Sequence, residues 1–168
     1  QYLISLGHRR IAYISVGHSL LFAGDRKSGY LLALAENGLS SPKGYCLETA
    51  FRPGVRNETV EVLLKRPDRP TAILVSDDIL ASCLERLCLE MNLSVPKDLS
   101  IISFNNSLFS QISSPPLTSM DVNSLQLGIE AASQMISHIE NPNLMATKTI
   151  VPHHIVVRES CGPVGVDG

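Results

Sequence analysis

Four residues of this chain are of the types that grip a small hydroxylated ligand: Arg26, Phe51, Asp77 and Asn105. Arginine presents a planar fork of donors, aspartate and asparagine accept from or donate to paired hydroxyls, and an aromatic ring packs against the apolar face of a sugar. One buried charge-assisted hydrogen bond contributes roughly 1.5–3 kcal/mol, so three or four of them set specificity. Asp78, Asn106 and Asn123 are secondary candidates for the same rim. Each residue also has a plainer role open to it. An aspartate before a helix caps it, and Asp78 is expected in that role more than Asp77. The two asparagines at 105 and 106 suit a turn, and Phe51 suits a core.

Signals for catalysis are missing. The chain has no Walker loop, no GxGxxG after its first strand, no GxSxG and no HExxH, so neither an enzyme nor a cofactor is expected. Asp77 and Asp78 are adjacent at a strand-to-helix turn, where side chains diverge, and no third carboxylate lies beside them in sequence. His153 and His154 point to opposite faces of a strand and cannot share a metal. His8 and His18 read as surface or capping residues. Cys46, Cys83, Cys88 and Cys161 show no CxxC pairing and read as a reduced, intracellular set. No metal site is expected.

The elements that would position these residues follow from apolar periodicity. RIAYISV (10–16) reads as a strand, and a helix after Asp25 carries Tyr30, Leu31, Leu34 and Ala35 before stopping at Asn37 and Gly38. YCLETAF (45–51) reads as a second strand and VRNETVEVLLKR (55–66) as a second helix. TAILVSDD (71–78) is a buried strand ending on carboxylates. A helix follows, with Leu80, Cys83, Leu84, Leu87, Cys88 and Met91 on one side. LSIISFNN (99–106) is again an apolar strand with a polar end. Strict alternation implies right-handed crossovers and an α/β, doubly wound parallel sheet with helices on both faces. In such sheets ligands bind beyond the carboxyl ends of the strands, where residues 17–26, Phe51, Arg52, residues 76–78 and residues 105–106 would meet.

The last third changes rhythm. SSPPLTSMDV (113–122) is a short alternating segment. A helix over 124–139 carries Leu125, Gly128, Ile129, Ala132, Met135, Ile136 and Ile139 on one stripe. TKTIVPHHIVVRES (147–160) supplies a last strand, in which Pro152 is tolerable only at an edge or a bulge. GPVGVDG (162–168) is expected to fray.

Composition bounds the class. With 168 residues and 44% hydrophobic residues, the chain can bury one domain's core. A net charge of −2 and a single basic patch at GHRR (7–10) are too little to hold a phosphate backbone, so this stretch by itself is not expected to bind DNA. There is no apolar run of about 18 residues and no signal-peptide pattern, so the expectation is a chain without a membrane partner.

Six stretches in order, LGHRRIAYI, DRKSGYLLAL, RPTAILVSDDILA, VPKDLSIISFNN, PPLTSMDVNSLQLG and IVVRES, resemble the LacI/GalR family of bacterial transcriptional repressors over about residues 2–161. The resemblance implies a periplasmic-binding-protein type I-like, Rossmann-like lobe that binds an effector, with residues 162–168 as a tail. It also implies a cytoplasmic homodimer that reaches operator DNA through a helix-turn-helix headpiece not included here. By the same resemblance Arg26, in RKSGY, matches the effector-contacting arginine, Phe51 the pocket aromatic, and Asp77 the contact at the end of the third strand. Asn105 replaces the usual aspartate, SFNN standing where GFDD is common, which removes a charge. ISFNNS with PPLTSMDVNSLQLG is most similar to the maltose-operon branch, so the implied effector is a maltose-like or maltodextrin-like sugar. A sugar-binding protein serving a transporter is the alternative.

The resemblance further implies that residues 117–141 cross back to a first lobe that this chain lacks. The apolar stripe of the helix there would then pack on a neighbouring chain or fold back on its own lobe. Leaving it in water forgoes roughly 25 cal/mol for each Å².

Overall fold

A computed structural model describes residues 1–16, 21–49 and 57–164. The chain order is α1 (Tyr2–Ser5), β1 (Ile11–Ser15), α2 (Leu21–Glu36), β2 (Cys46–Glu48), α3 (Glu58–Leu64), β3 (Ala72–Val75), α4 (Asp78–Glu90), β4 (Ser100–Phe104), α5 (Leu108–Ile112), β5 (Thr118–Asp121), α6 (Ser124–Glu140) and β6 (His154–Val156). One six-stranded sheet runs β2-β1-β3-β4-β5-β6. All neighbours are parallel except β5 and β6, which are antiparallel. The doubly wound α/β expectation therefore holds, with one antiparallel edge. That edge strand begins two residues after Pro152, because proline cannot donate to the ladder.

The apolar runs form the inner strands because both sheet faces are covered, and β1 is buried at every position. On one face α3 and α4 bury Val60, Leu64, Leu84 and Leu87 against Ile73, Val75 and Ile101. On the other face α1 and α2 bury Leu3, Tyr30 and Leu34 against Tyr13, Ala72 and Ile102. Tyr13 and Tyr30 stack with their centroids 5.5 Å apart. Burial pushes the Tyr30 hydroxyl up to about 12, and it donates to the Ile11 carbonyl.

Helix ends follow their local chemistry. α2 stops where Gly38 takes φ +67°, with Leu39 N–H bonding back to the Leu34 carbonyl. α4 stops the same way at Asn92, φ 58°, with Leu93 N–H on the Cys88 carbonyl. Helix α2 begins at Leu21 rather than after Asp25, so Arg26 lies inside the helix, one turn past its start. The short helices α1 and α5 carry too few apolar positions to register as periodic in the sequence.

Other expectations meet the structure directly. Strand β5, within the segment 117–141, belongs to this sheet. Helix α6 forms but buries none of its residues, and it does not fold back on the lobe. Of the stretch 162–168 expected to fray, residues 165–168 lie outside the described residues, and Gly162 to Val164 are tied down, with Gly162 N–H donating to Ser100 Oγ and Val164 N–H to the Leu6 carbonyl. His8 is the partner that makes this possible. It is 2% exposed, not a surface residue, and its ring bridges Thr71 Oγ1, Ser100 Oγ and the Gly162 carbonyl.

Candidate functional site

The carboxyl ends of the parallel strands form a rim, and Arg26 reaches across it. Parallel pairing brings the ends of β1, β3 and β4 side by side, while α2 descends from that end and carries Arg26 over it. The half-buried guanidinium donates from Nη1 to the Ser76 carbonyl at 2.5 Å and from Nη2 to Asn105 Oδ1 at 3.2 Å. It lies over the Phe104 ring at 4.3 Å and near the Phe22 ring at 4.7 Å. Such stacking fixes the plane of the fork. Burial lowers its pKa, and the fields of Tyr13, Asp77 and Asp78 act in the opposite direction.

The capping role expected of Asp78 falls to Asp77 instead. Asp77 is the N-cap of α4: its Oδ1 accepts from Leu80 N–H at 2.8 Å, and its Oδ2 accepts from Ser76 Oγ at 3.1 Å. It stays half-buried at the rim, two residues past β3. Asp78 is 1% exposed and points inward, so it is not a rim residue. Its carboxylate accepts from Ser103 Oγ at 2.5 Å, Ser119 Oγ at 2.7 Å and Ser107 N–H at 2.6 Å, tying α4 to β4, β5 and the turn before α5. This follows from helix geometry: a cap has extended backbone and faces the helix end, whereas the next residue faces the sheet.

Of the asparagines, only Asn105 presents its side chain to Arg26. It is exposed, with φ 101°, a backbone conformation disfavoured for L side chains. Asn106 is a structural bracket: Nδ2 donates to Asp121 Oδ2 at 2.9 Å, and Oδ1 accepts from Arg158 Nη2 at 2.6 Å. Hydrogen bonds from the Asn123 backbone N–H and then from the Asn106 side chain hold the Asp121 carboxyl below its usual range. Asn123, φ 53°, begins α6 and donates its N–H to Asp121 Oδ1 at 2.6 Å; its side chain makes no cap bond. Phe51 lies outside the described residues.

The rim thus assembles Arg26, Asp77 and Asn105 with Phe22 and the Ser76 carbonyl from the stretches expected there, and adds Phe104, which the sequence reading missed. Phe104 had a signal, as the last residue of an apolar strand beside Asn105, but it reads as core until Arg26 is seen above it. A cavity of about 310 Å³ adjoins Arg26, walled by Phe104, Met120, Val122, Leu127 and His153. The larger groove of about 750 Å³ lies away from this rim, between α4, α5 and the turn after α4. Among the described residues no group of three His, Cys, Asp or Glu is placed to hold a metal ion.

The lobe thus gathers an arginine fork, a carboxylate and a carboxamide at the carboxyl ends of its parallel strands, where sheets of this architecture bind ligands. Over residues 1–161 the chain matches the periplasmic binding protein-like domain family, and it belongs to that family. The curated relatives it matches include transcriptional repressors. The HTH-type transcriptional repressor PurR of Mannheimia succiniciproducens is 28% identical over 160 residues, covering 95% of this chain and 48% of the relative. Catabolite control protein A of Priestia megaterium is 31% identical over 166 residues, covering 95% and 48%. The chain therefore spans about half the length of the curated relatives it matches. Among solved structures, a LacI transcriptional regulator from Bacillus cereus subsp. cytotoxis is 40% identical with a TM-score of 0.90, over 98% of this chain and 58% of that one. The fold is shared by a CelR–cellobiose complex at 24% identity and TM-score 0.86, over 95% and 49%.

Proposed function

We propose that this chain is the effector-sensing lobe of a LacI-type, sugar-responsive transcriptional repressor, and that it works without catalysis. In this reading residues 1–161 are the effector-binding portion, residues 162–168 a tail, and residues from Val122 to about 141 the segment that crosses to a first lobe. DNA is reached through a headpiece elsewhere in a cytoplasmic homodimer. The observation that carries the reading is Arg26, held flat at the rim between two rings with Asn105 and the Ser76 carbonyl as its partners. A preset fork of donors of this kind meets paired hydroxyls without further ordering cost. The repressor relatives support this class over a transport protein of the same fold.

A sugar that closes the cleft between two lobes reorients them, and in a dimer that shifts the balance between DNA-bound and released states. Coupling of this kind is typically about 1–3 kcal/mol. Maltose and maltodextrins are the first sugars to try, on the strength of the SFNN and PPLTSMDVNSLQLG stretches. Calorimetry of the intact protein should show binding to a member of that set, and Arg26→Ala should weaken it roughly 10- to 150-fold, the equivalent of one charge-assisted hydrogen bond. Unchanged binding in Arg26→Ala would remove the arginine from the site. Absence of binding across sugars would sink the assignment.

A further inference from the structure

Another cavity, of about 410 Å³, opens at the end of the sheet opposite the rim. Strands β1, β3 and β4 begin side by side there, and residues just before them form its walls: His8 and Arg10 ahead of β1, Arg69 and Thr71 ahead of β3, Lys97 and Asp98 ahead of β4. Three cations thus face one carboxylate, in a chain whose net charge is −2. His8 adds no charge near neutral pH, because burial lowers its pKa below the usual 6.5. The carboxylate is already engaged: Asp98 Oδ2 accepts from Ser94 N–H at 2.8 Å, and Oδ1 lies 3.9 Å from Arg69 Nη2. We propose that this cavity binds a phosphate dianion, free or carried by a small molecule, between Arg10, Arg69 and Lys97, at a site separate from the rim of Arg26.

Preset donors, surplus charge and size all support that ligand. Arg10 uses only Nε within the protein, donating to the Arg69 carbonyl at 3.1 Å, and its two Nη groups make no hydrogen bond among the described residues. Arg69 in turn donates from Nη1 to the Asp98 carbonyl at 2.9 Å. Each guanidinium is anchored through one nitrogen to a loop carbonyl, which leaves the rest of its planar fork open to an oxyanion. Lys97 is exposed and makes no ion pair among the described residues. Basic side chains near helix ends commonly complement the terminal carbonyls. Here the helices close on their own backbone, α4 on the N–H groups of Met91 and Leu93 and α3 on those of Lys65 and Arg66, so the three cations are not needed for that role. Pro67, Pro96 and Pro163 complete the walls, and their locked φ restricts the loops that carry the donors. A phosphate monoester carries about −1.5 to −2 charges at neutral pH, matching the surplus of two positive charges on the walls. The volume falls within the roughly 300–1,000 Å³ of small-molecule pockets, so there is room for more than the anion.

The inference is independent of the sugar-sensing reading, since phosphate can bind where no sugar does, and the reverse. The full-length protein is titrated by calorimetry at fixed ionic strength with inorganic phosphate, glycerol 3-phosphate and glycerol. At least one phosphate probe should bind, and glycerol should not. Tighter binding of glycerol 3-phosphate than of inorganic phosphate identifies a phosphorylated small molecule as the ligand, and the opposite order identifies the free ion. Lys97→Gln, at an exposed side chain without an ion pair, should weaken that binding about 10-fold or more, as should Arg10→Lys, which keeps the charge and loses the fork. Arg26→Ala, at the other end of the sheet, should leave it within about twofold. No binding of either phosphate probe, binding of glycerol equal to that of its phosphate, or binding at full strength in both Lys97→Gln and Arg10→Lys would overturn the proposal. So would loss of phosphate binding in Arg26→Ala alone, which would move the anion to the rim.

Discussion

Helices α4 and α6 carry apolar stripes of the same kind and meet opposite fates. In α4 the stripe Leu80, Leu84, Leu87 and Cys88 is at most 3% exposed, pressed on β3 and β4. In α6 the stripe Leu125, Ile129, Ile136 and Ile139 is 52–77% exposed. The spacing of apolar residues states which side of a helix seeks a partner, and it is silent on where that partner is. For α4 the partner is the sheet next to it in sequence. For α6 no such surface lies against the stripe among the described residues.

The contrast is sharpest in stability, and the largest effect belongs to the anchor at the start of α4. Asp78→Ala leaves two serine hydroxyls and the Ser107 N–H without their acceptor, and should cost about 4 kcal/mol in urea unfolding. Leu84→Ala, which opens a cavity at a fully buried site, should cost about 3 kcal/mol. Ile139→Ala on α6 should change the stability of this chain by less than about 0.5 kcal/mol, and should cost more in the full-length protein if a first lobe covers it. Equal losses in both settings would break the comparison.

Smaller effects come with pH. The Glu85 carboxyl on α4 is 7% exposed, and burial pushes it up to about 7 from an ordinary value of 4.5. The folded state then holds a proton that the unfolded state releases first, so this contribution to stability is full below about pH 4.5 and is lost as the pH rises to about 7. Glu85→Gln should flatten that decline in urea midpoints. His8 works in the other direction. Burial lowers its pKa below 6.5, so the folded state resists protonation and stability falls as the pH drops below that value. In the Glu85→Gln background, His8→Gln should remove the acid-side slope as well. Helix α6 carries no buried titratable group, so changes there should leave both slopes untouched.

Much of the fold was legible because the inner strands are nearly continuous apolar runs and α2 has a clear stop at Gly38. The candidate site was legible by type: Arg26, Asp77 and Asn105 are polar residues at strand ends, and the topology brings them together. Other details were hidden because they depend on contacts distant in sequence. His8 looks solvated beside two arginines until Thr71, Ser100 and Gly162 close around it. Asn106 looks like its neighbour until Asp121 and Arg158 claim its side chain.

The division has a physical basis. Local sequence determined the periodicities, the helix stops and the supply of polar groups at strand ends, because each depends on residues a few positions apart. Tertiary structure alone decided which of two adjacent aspartates turned inward, since that rests on where the backbone leaves its extended conformation and on which hydroxyls wait on β4 and β5. It likewise decided that α4 is core and α6 is surface, because burial is a property of the partner as much as of the helix.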